Sequence, residues 1–181
     1  MIVIREARAV DAPAIARVHV ESWRSAYAGL LPDTVLVQMC PHTHTAEWAR
    51  VLGQRRNREI VMVAEAGEHG VIGFGSCGRV REKRLAHAGE IFTLYILPEF
   101  QDKGIGRQLL NRLFDAMVSR GMKSAVAWVL AENPSRFFYE TMRGRRVAER
   151  NETLWNTVLH EIAYGWDDIR QFRTQTDARK A

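Results

Sequence analysis

Apolar residues along this chain fall into short runs of strand length and longer stretches with helical spacing. The strand-like runs cover residues 2–4, 60–65, 71–80, 91–97, 124–130, 146–150 and 153–163. Helical spacing is found at 12–28, 45–56 and 105–118, and short helices are predicted after residues 30 and 133. In the last strand, Leu154, Val158 and Ile162 fit a buried face. This alternation predicts an α/β arrangement.

A strand, a tight turn and a helix follow one another directly between residues 91 and 121. Pro98 ends the strand because it cannot donate to a β-ladder. Gly104 and Gly106 have no β-carbon, so their backbone can approach a ligand closely. The amides of a first helical turn are unpaired and favour negative charge. The segment therefore predicts a cradle for a phosphate or pyrophosphate.

The charges of this turn and the spacing of its glycines restrict which kind of anion site it can form. Lys103 and Arg107 place positive charge at a helix start, which an anion docked there would compensate. No Gly-Lys-Ser/Thr follows the glycines, so the turn is not a Walker loop. The position where the dinucleotide fingerprint needs its third glycine holds Leu109. An ordinary strand–helix turn stays open as the alternative.

The composition of the chain predicts one domain in a reducing compartment. With 181 residues and 46% apolar content, residues 1–168 are predicted to form a single domain, followed by a polar tail at 169–181. Cys40 and Cys77 make no disulfide framework, which predicts a cytoplasmic location. No apolar run is long enough to span a bilayer. The net charge of +5 comes from scattered side chains, which favours solvated faces over a nucleic-acid footprint.

Three segments of the chain resemble the GNAT superfamily of acyl-CoA-dependent N-acyltransferases. They are Leu94-Tyr95-Ile96 with the turn from Gln101 to Gly106, the stretch 133–140 (Asn-Pro-Ser-Arg-Phe-Phe-Tyr-Glu), and the stretch 161–166. They occur in the family's order, and the predicted elements match along nearly all of the chain. The resemblance implies the GNAT fold, a mixed central sheet flanked by helices.

The resemblance also implies acetyl-CoA as co-substrate and no metal. The strands at 90–97 and 123–130 would splay apart and receive the pantetheine arm, while the pyrophosphate would lie on the helix turn. Asn133 resembles a pantetheine-binding Asn of the family, although it is equally suited to cap the helix after it. The residues implied in cofactor binding are Leu94, Tyr95, Ile96, Asp102, Lys103, Gly104, Ile105, Gly106, Arg107 and Asn133.

Two residues are the candidates for acid–base chemistry. Tyr139 matches a family tyrosine whose hydroxyl points at the CoA sulfur, where it could protonate the departing thiolate. A buried structural tyrosine is the alternative. Glu90 opens its strand where relatives often place a carboxylate that takes the amine's proton; an exposed strand-end glutamate is the other reading. Glu21 or Glu132 could substitute for it.

The acceptor site is expected beside the first helix. In many family members this region forms one wall of the acceptor groove, so Trp23 and Tyr27 are candidate substrate contacts as well as candidate core anchors. Near relatives usually have Leu-Gly-Phe or Leu-Gly-Gly where this chain has Met142-Arg143-Gly144-Arg145. Arg143 and Arg145 could favour an acidic acceptor or simply be solvated.

Two further function classes stay open. One is a regulatory module that binds acyl-CoA without turnover, which the presence of Tyr139 disfavours. The other is a nucleic-acid-binding protein, but the chain lacks a basic block interleaved with aromatic residues. His42 and His44 lie near Cys40 without the further ligands that zinc needs. The predicted partners are acetyl-CoA and an amine, without nucleic acid or membrane; a homodimer is left open.

Overall fold

A computed structural model describes residues 1–54 and 59–172, and a seven-stranded sheet forms its centre. The strands are β1 Ile2–Glu6, β2 Ile60–Ala66, β3 Val71–Arg79, β4 Gly89–Ile96, β5 Ala125–Leu130, β6 Arg145–Leu154 and β7 Thr157–Trp166. Their order across the sheet is β1-β2-β3-β4-β5-β7-β6. Only β4 and β5 run parallel; the other neighbours are antiparallel. The predicted mixed sheet of an α/β fold is confirmed.

Helices cover both faces of this sheet. They are α1 Ala12–Ala26, α2 Asp33–Gln38, α3 Pro41–Gly53, α4 Ile105–Ser119 and α5 Arg136–Thr141. Phe74 of β3 packs against rings of α1 and α3, at 6.0 Å from His19 and 5.1 Å from Trp48. A β-carbon on the next residue, Gly75, would meet Leu113 of α4 at 2.8 Å. Because neighbouring residues of a strand face opposite sides, α4 lies on the face opposite α1 and α3.

The buried side of α4 fixes the position of its N-terminal turn. Leu109, Leu110, Leu113, Phe114 and Met117 are fully buried, in the helical spacing that the sequence shows. Burying an apolar side chain of this size stabilises the fold by about 1.5–3 kcal/mol. The helix start is thereby held rigidly at the end of β4.

The two parallel strands in the middle of the sheet separate after a short paired segment. Only Gly89–Ile91 of β4 pairs with Ala125–Ala127 of β5. Beyond Ile91 and Ala127 the two strands have no backbone pairing with each other, although β4 continues to Ile96 and β5 to Leu130. The expected splay between these strands is confirmed.

The C-terminal hairpin differs from the sequence prediction. The expected break near residues 151 and 152 is wrong, because β6 continues to Leu154 and the turn is formed by Trp155 and Asn156. Ile162 is buried as expected, but Leu154 is 38% and Val158 66% exposed. These side chains are exposed because the β6–β7 hairpin is longer than its neighbouring strand. β5 pairs with β7 only as far as residue 161, so the tip of the hairpin projects beyond the sheet.

The remaining differences concern element ends. The three helices predicted between β1 and β2 are present as α1, α2 and α3. α3 begins at Pro41 instead of Thr45, since proline suits the first helical position; its predicted end at Arg56 lies outside the described residues. Ile169 is fully buried in a 3₁₀ turn at Ile169–Phe172, so packing continues past residue 168. The tail from 173 onward also lies outside the described residues. None of the described helices is long and apolar enough to cross a membrane.

Candidate active site

Two side chains of the loop that precedes α4 donate hydrogen bonds to backbone carbonyls and hold the loop in place. The Gln101 side-chain amide donates to the carbonyl of Ile96 at 3.0 Å, which ties the turn to the end of β4. The Lys103 ammonium donates to the carbonyl of Glu99 at 2.8 Å. Gly104 has a φ of +75° and caps the helix start. The first amides of α4 are therefore free to bind an anion.

Gly104 and Gly106 are required in this turn for different physical reasons. A β-carbon on Gly104 would meet no atom within 4 Å, so its requirement is the left-handed backbone and the open space in front of it. A β-carbon on Gly106 would lie 3.3 Å from Ile96 and 3.3 Å from Phe138. Gly106 therefore allows α4 to lie close to β4 and α5.

A cleft of about 590 Å³ opens beside the turn, between α4 and α5. Its lining combines backbone of the turn with apolar side chains of β4 and α5. The lining residues are Leu94, Ile96, Gln101, Asp102, Gly104, Gly106, Arg107, Pro134, Ser135, Phe137, Phe138, Tyr139, Thr141 and Met142. An anion-binding turn at the edge of an apolar cleft suits a ligand with a phosphate and a hydrophobic arm.

A second cavity, of about 90 Å³, continues the cleft into the gap between β4 and β5. Both spaces are bordered by Leu94, Ile96, Gln101, Ser135 and Tyr139, so they form one continuous groove. The groove is completed on the far side by residues of α1, β4 and β5. These residues are Ser22, Ala26, Tyr27, Ile91, Phe92, Thr93, Tyr95, Trp128, Val129 and Asn133.

Most of the residues predicted to bind the cofactor border this groove. Lys103 and Ile105 do not border it. The Ile105 side chain is buried, which leaves only its backbone amide for a ligand. The Lys103 ammonium is directed to the Glu99 carbonyl. The Asn133 side chain is buried and its Oδ1 accepts from the amide of Ser135 at 2.9 Å, which forms a turn before α5, whose N-cap residue is Ser135.

Tyr139 lies where the two cavities meet. Its ring is 8% exposed and stacks on Tyr164 at 6.0 Å between ring centres. Among the described residues its hydroxyl has no hydrogen-bond partner. Burial, and then the nearby Tyr27, raise the pKa of Tyr139 far above its usual range. The hydroxyl therefore stays protonated at neutral pH and can donate a proton or hydrogen bond to a group in the groove.

Aromatic side chains of α1 form the wall opposite Tyr139. The hydroxyl of Tyr27 lies 3.5 Å from that of Tyr95, and burial raises the pKa of both groups. The Trp23 ring stands at a steep angle to the Tyr27 ring, 4.8 Å away. Tyr27 borders the cavity, and Trp23 lies one ring further out. Both rings also pack with Leu31, Leu36 and Leu159, so Tyr27 combines the packing and lining roles, while Trp23 packs behind it.

The histidines near this wall are packing residues. Trp48 donates its indole N–H to Nδ1 of His19 at 3.3 Å, and His19 stacks on Tyr95. Burial, and then His44, lower the pKa of His19 to about 4, so it is neutral at physiological pH. His44 contacts Glu47 at 2.9 Å. Within the described ranges 1–54 and 59–172, no group of three or more His, Cys, Asp or Glu residues is placed to hold a metal ion.

Glu90 lies next to the groove but is covered by Arg81. The carboxylate accepts from the backbone amide of Arg81 at 2.9 Å and from its guanidinium at 2.6 Å. The Glu90 side chain is 3% exposed and that of Arg81 is 67% exposed. The next two residues along β4, Ile91 and Phe92, border the small cavity. A base at Glu90 would therefore be near the groove but reachable only if Arg81 moves.

Several positions at the site differ from, or were missing in, the sequence interpretation. Arg145 pairs with Asp167 at the end of the sheet opposite the hairpin tip, and its side chain is 72% exposed, which fits its solvated alternative. Two further residues were not among the predicted site residues: Trp128, which borders the cavity, and Arg150, which stacks over its ring at 4.2 Å. A tryptophan in a strand that leads to Asn133 was the available signal.

Comparison with known proteins identifies what the chain is similar to. The acetyltransferase (GNAT) family profile matches residues 18–144. An uncharacterized N-acetyltransferase of Bacillus subtilis, YuaI, is 33% identical over 96% of this chain and 98% of its own length. The spermidine N(1)-acetyltransferase of Thermoplasma acidophilum is 24% identical over 81% of this chain and 89% of its own.

Solved structures share the fold. The PaiA N-acetyltransferase of Thermoplasma acidophilum, in complex with coenzyme A, has a TM-score of 0.68 and 21% identity over 90% of this chain and 98% of that one. YncA of Salmonella typhimurium, a putative acetyltransferase with its cofactor acetyl-CoA, has a TM-score of 0.68 and 21% identity over 100% of this chain and 99% of that one.

Proposed function

Since this chain belongs to the GNAT family of N-acetyltransferases, we propose that it moves the acetyl group of acetyl-CoA to a primary amine by direct attack in a ternary complex. The acceptor is the amine of a small molecule or of a peptide or protein N-terminus. The observation that carries the proposal is the groove that leads from the first amides of α4 to the hydroxyl of Tyr139, which has no hydrogen-bond partner among the residues that the structure describes.

The residues of the groove suit the parts of acetyl-CoA. The amides at the start of α4 would hold the pyrophosphate, with Arg107 as added positive charge. The apolar edge formed by Leu94 and Ile96 would accompany the pantetheine arm in the gap where β4 and β5 do not pair. Backbone groups of β4 in that gap have lost their partner strand, so a pantetheine amide can replace it. Solved relatives of the same fold in complex with coenzyme A or acetyl-CoA support this arrangement.

Tyr139 is proposed as the general acid. Attack of the amine on the thioester carbonyl forms the new C–N bond, and the C–S bond then breaks with the electron pair going to sulfur. The sulfur takes the proton of the Tyr139 hydroxyl, which burial keeps protonated. The tyrosinate is then reprotonated from solvent through the open part of the groove.

Glu90 is proposed to receive the amine's proton once Arg81 has swung aside, directly or through water. Glu90→Gln should then lower kcat about 100-fold, the lower end of the effect expected of general base catalysis. Arg81→Gln uncovers the carboxylate and should leave kcat unchanged or higher. The comparison is made by steady-state kinetics of both variants beside thermal melts.

The opposite pattern would assign Glu90 a structural role. If both variants lower the melting temperature by the same amount and keep a normal kcat, the ion pair between Glu90 and Arg81 only stabilises the β3–β4 loop. In that case the proton of the amine leaves through solvent, and Glu90 is removed from the mechanism.

A screen of amines tests the proposed function as a whole. The protein is mixed with acetyl-CoA and, separately, with glycinamide, phenylalaninamide, spermidine and short peptides, and free thiol and acetylated amine are both quantified. We expect thiol and acetylated product in equal amounts, and neither without the amine. Acetyl-CoA binding without acetylation of any amine would favour a regulatory module that binds acyl-CoA without turnover.

A further inference from the structure

The tip of the β6–β7 hairpin holds a tryptophan in an unfavourable backbone conformation. Trp155 and Asn156 have φ angles of +50° and +57°, as a two-residue hairpin turn of the primed type requires. Asparagine adopts this region readily, but a bulky residue rarely does. Glycine or asparagine at position 155 would form the same turn with less strain. The tryptophan is therefore not explained by the turn.

The Trp155 side chain is joined to the groove by a row of rings. It is 49% exposed, and its ring stands perpendicular to that of Trp23 at 6.5 Å between centres. Trp23 in turn contacts Tyr27, which borders the small cavity. Leu154, on the same strand face as Leu159, adds exposed apolar surface beside this row. The apolar wall of the acceptor side thus continues outward from the cavity to the hairpin tip.

The charged side chains of the hairpin contact one another. Glu152 and Glu161 both contact Arg150, and Glu149 lies 3.4 Å from the imidazole of His160. Because an aromatic face and unbalanced carboxylates can both attract a cation, a polyamine is the competing occupant. An uncharged apolar group is favoured by the exposed rings, which it would bury.

We infer that Trp155, together with Trp23, is a specificity-determining contact for an apolar or aromatic body attached to the acceptor amine. The inference rests on the acetyltransferase function proposed above and names its substrate class. Because Tyr27 and Trp23 lie between the cavity and Trp155, only an acceptor with a bulky body would reach Trp155. Amines without such a body would be acetylated without help from Trp155.

The test compares two amines that differ only in this body. Values of kcat/KM for phenylalaninamide and glycinamide are measured in the wild type, Trp155→Gly and Trp155→Asn, each beside a thermal melt. We expect the wild type to prefer phenylalaninamide by about tenfold or more. Both variants should lose most of this preference through a higher KM for phenylalaninamide. Their melting temperatures should change little, because relief of the strained φ offsets the lost contact with Trp23.

A matched control lies on the other face of the same tip. Val158 is 66% exposed and alternates away from Leu159, so Val158→Thr should leave the preference unchanged. An unchanged preference in both Trp155 variants would overturn the inference, as would better wild-type turnover of spermidine than of phenylalaninamide. If either outcome occurs while every variant still acetylates glycinamide, the proposed function remains supported. Absence of acetyl transfer to any amine would instead contradict the proposed function itself.

Discussion

Replacing Tyr139 with phenylalanine should lower kcat about 100-fold, while acetyl-CoA affinity and melting temperature stay near those of the wild type. General acid catalysis contributes about 10²–10⁴-fold. The lower end applies because a thiol, with a reference pKa of about 8.5, is already a good leaving group. A 100-fold loss corresponds to about 2.7 kcal/mol of barrier. Stability should change little, because the hydroxyl has no hydrogen-bond partner among the described residues.

Tyr164→Phe is the matched control for this variant. Tyr164 stacks on Tyr139, but its hydroxyl donates to Glu140 at 2.6 Å. Removing it should lower the melting temperature and leave kcat unchanged. Steady-state kinetics and thermal melts should therefore show opposite results: Tyr139→Phe loses kcat and keeps its stability, whereas Tyr164→Phe loses stability and keeps its kcat. A normal kcat for Tyr139→Phe, or a loss of stability in both variants alike, would end the assignment of Tyr139 as general acid.

The parts of the site that depend on local sequence could be predicted. The turn before α4 is recognisable because the glycines, the free helix amides and the amphipathic helix all lie within a short segment. The splay of β4 and β5 and the position of Tyr139 followed from the resemblance to the GNAT superfamily, since both accompany its motifs. Local chemistry and family order together therefore indicate the cofactor groove.

Contacts that depend on strand register could not be read from the sequence. Arg81 follows β3 and covers Glu90 of β4 only because the two strands pair as a hairpin with Gly78 opposite Glu90. The turn at Trp155 was missed because neither residue of Trp-Asn is a glycine, so the segment lacks the strongest signal of a two-residue hairpin turn. For the same reason the apolar residues Leu154 and Val158 were expected to be buried. Tertiary pairing decided these positions.

Gly104→Glu is expected to have the largest effect on cofactor binding. A β-carbon at Gly104 meets no neighbouring atom, so the side chain would extend into the space before the amides of α4. There its carboxylate would occupy the anion site and repel the pyrophosphate. Acetyl-CoA affinity should fall on the order of 100-fold or more, about 2.8 kcal/mol. The positive φ adds about 1–2 kcal/mol of strain, which a control must separate from the loss of binding.

Gly121→Glu supplies that control, because Gly121 ends the same helix with a φ of +81° and equally open space. It carries the same strain and charge, but at the end of α4 remote from the groove. The decisive measurement is calorimetric titration of acetyl-CoA into the wild type and the two folded variants. We expect one site per chain with similar affinity in the wild type and Gly121→Glu, and an affinity lower by on the order of 100-fold or more in Gly104→Glu. Equal affinity in all three proteins would contradict the claim that the start of α4 holds acetyl-CoA.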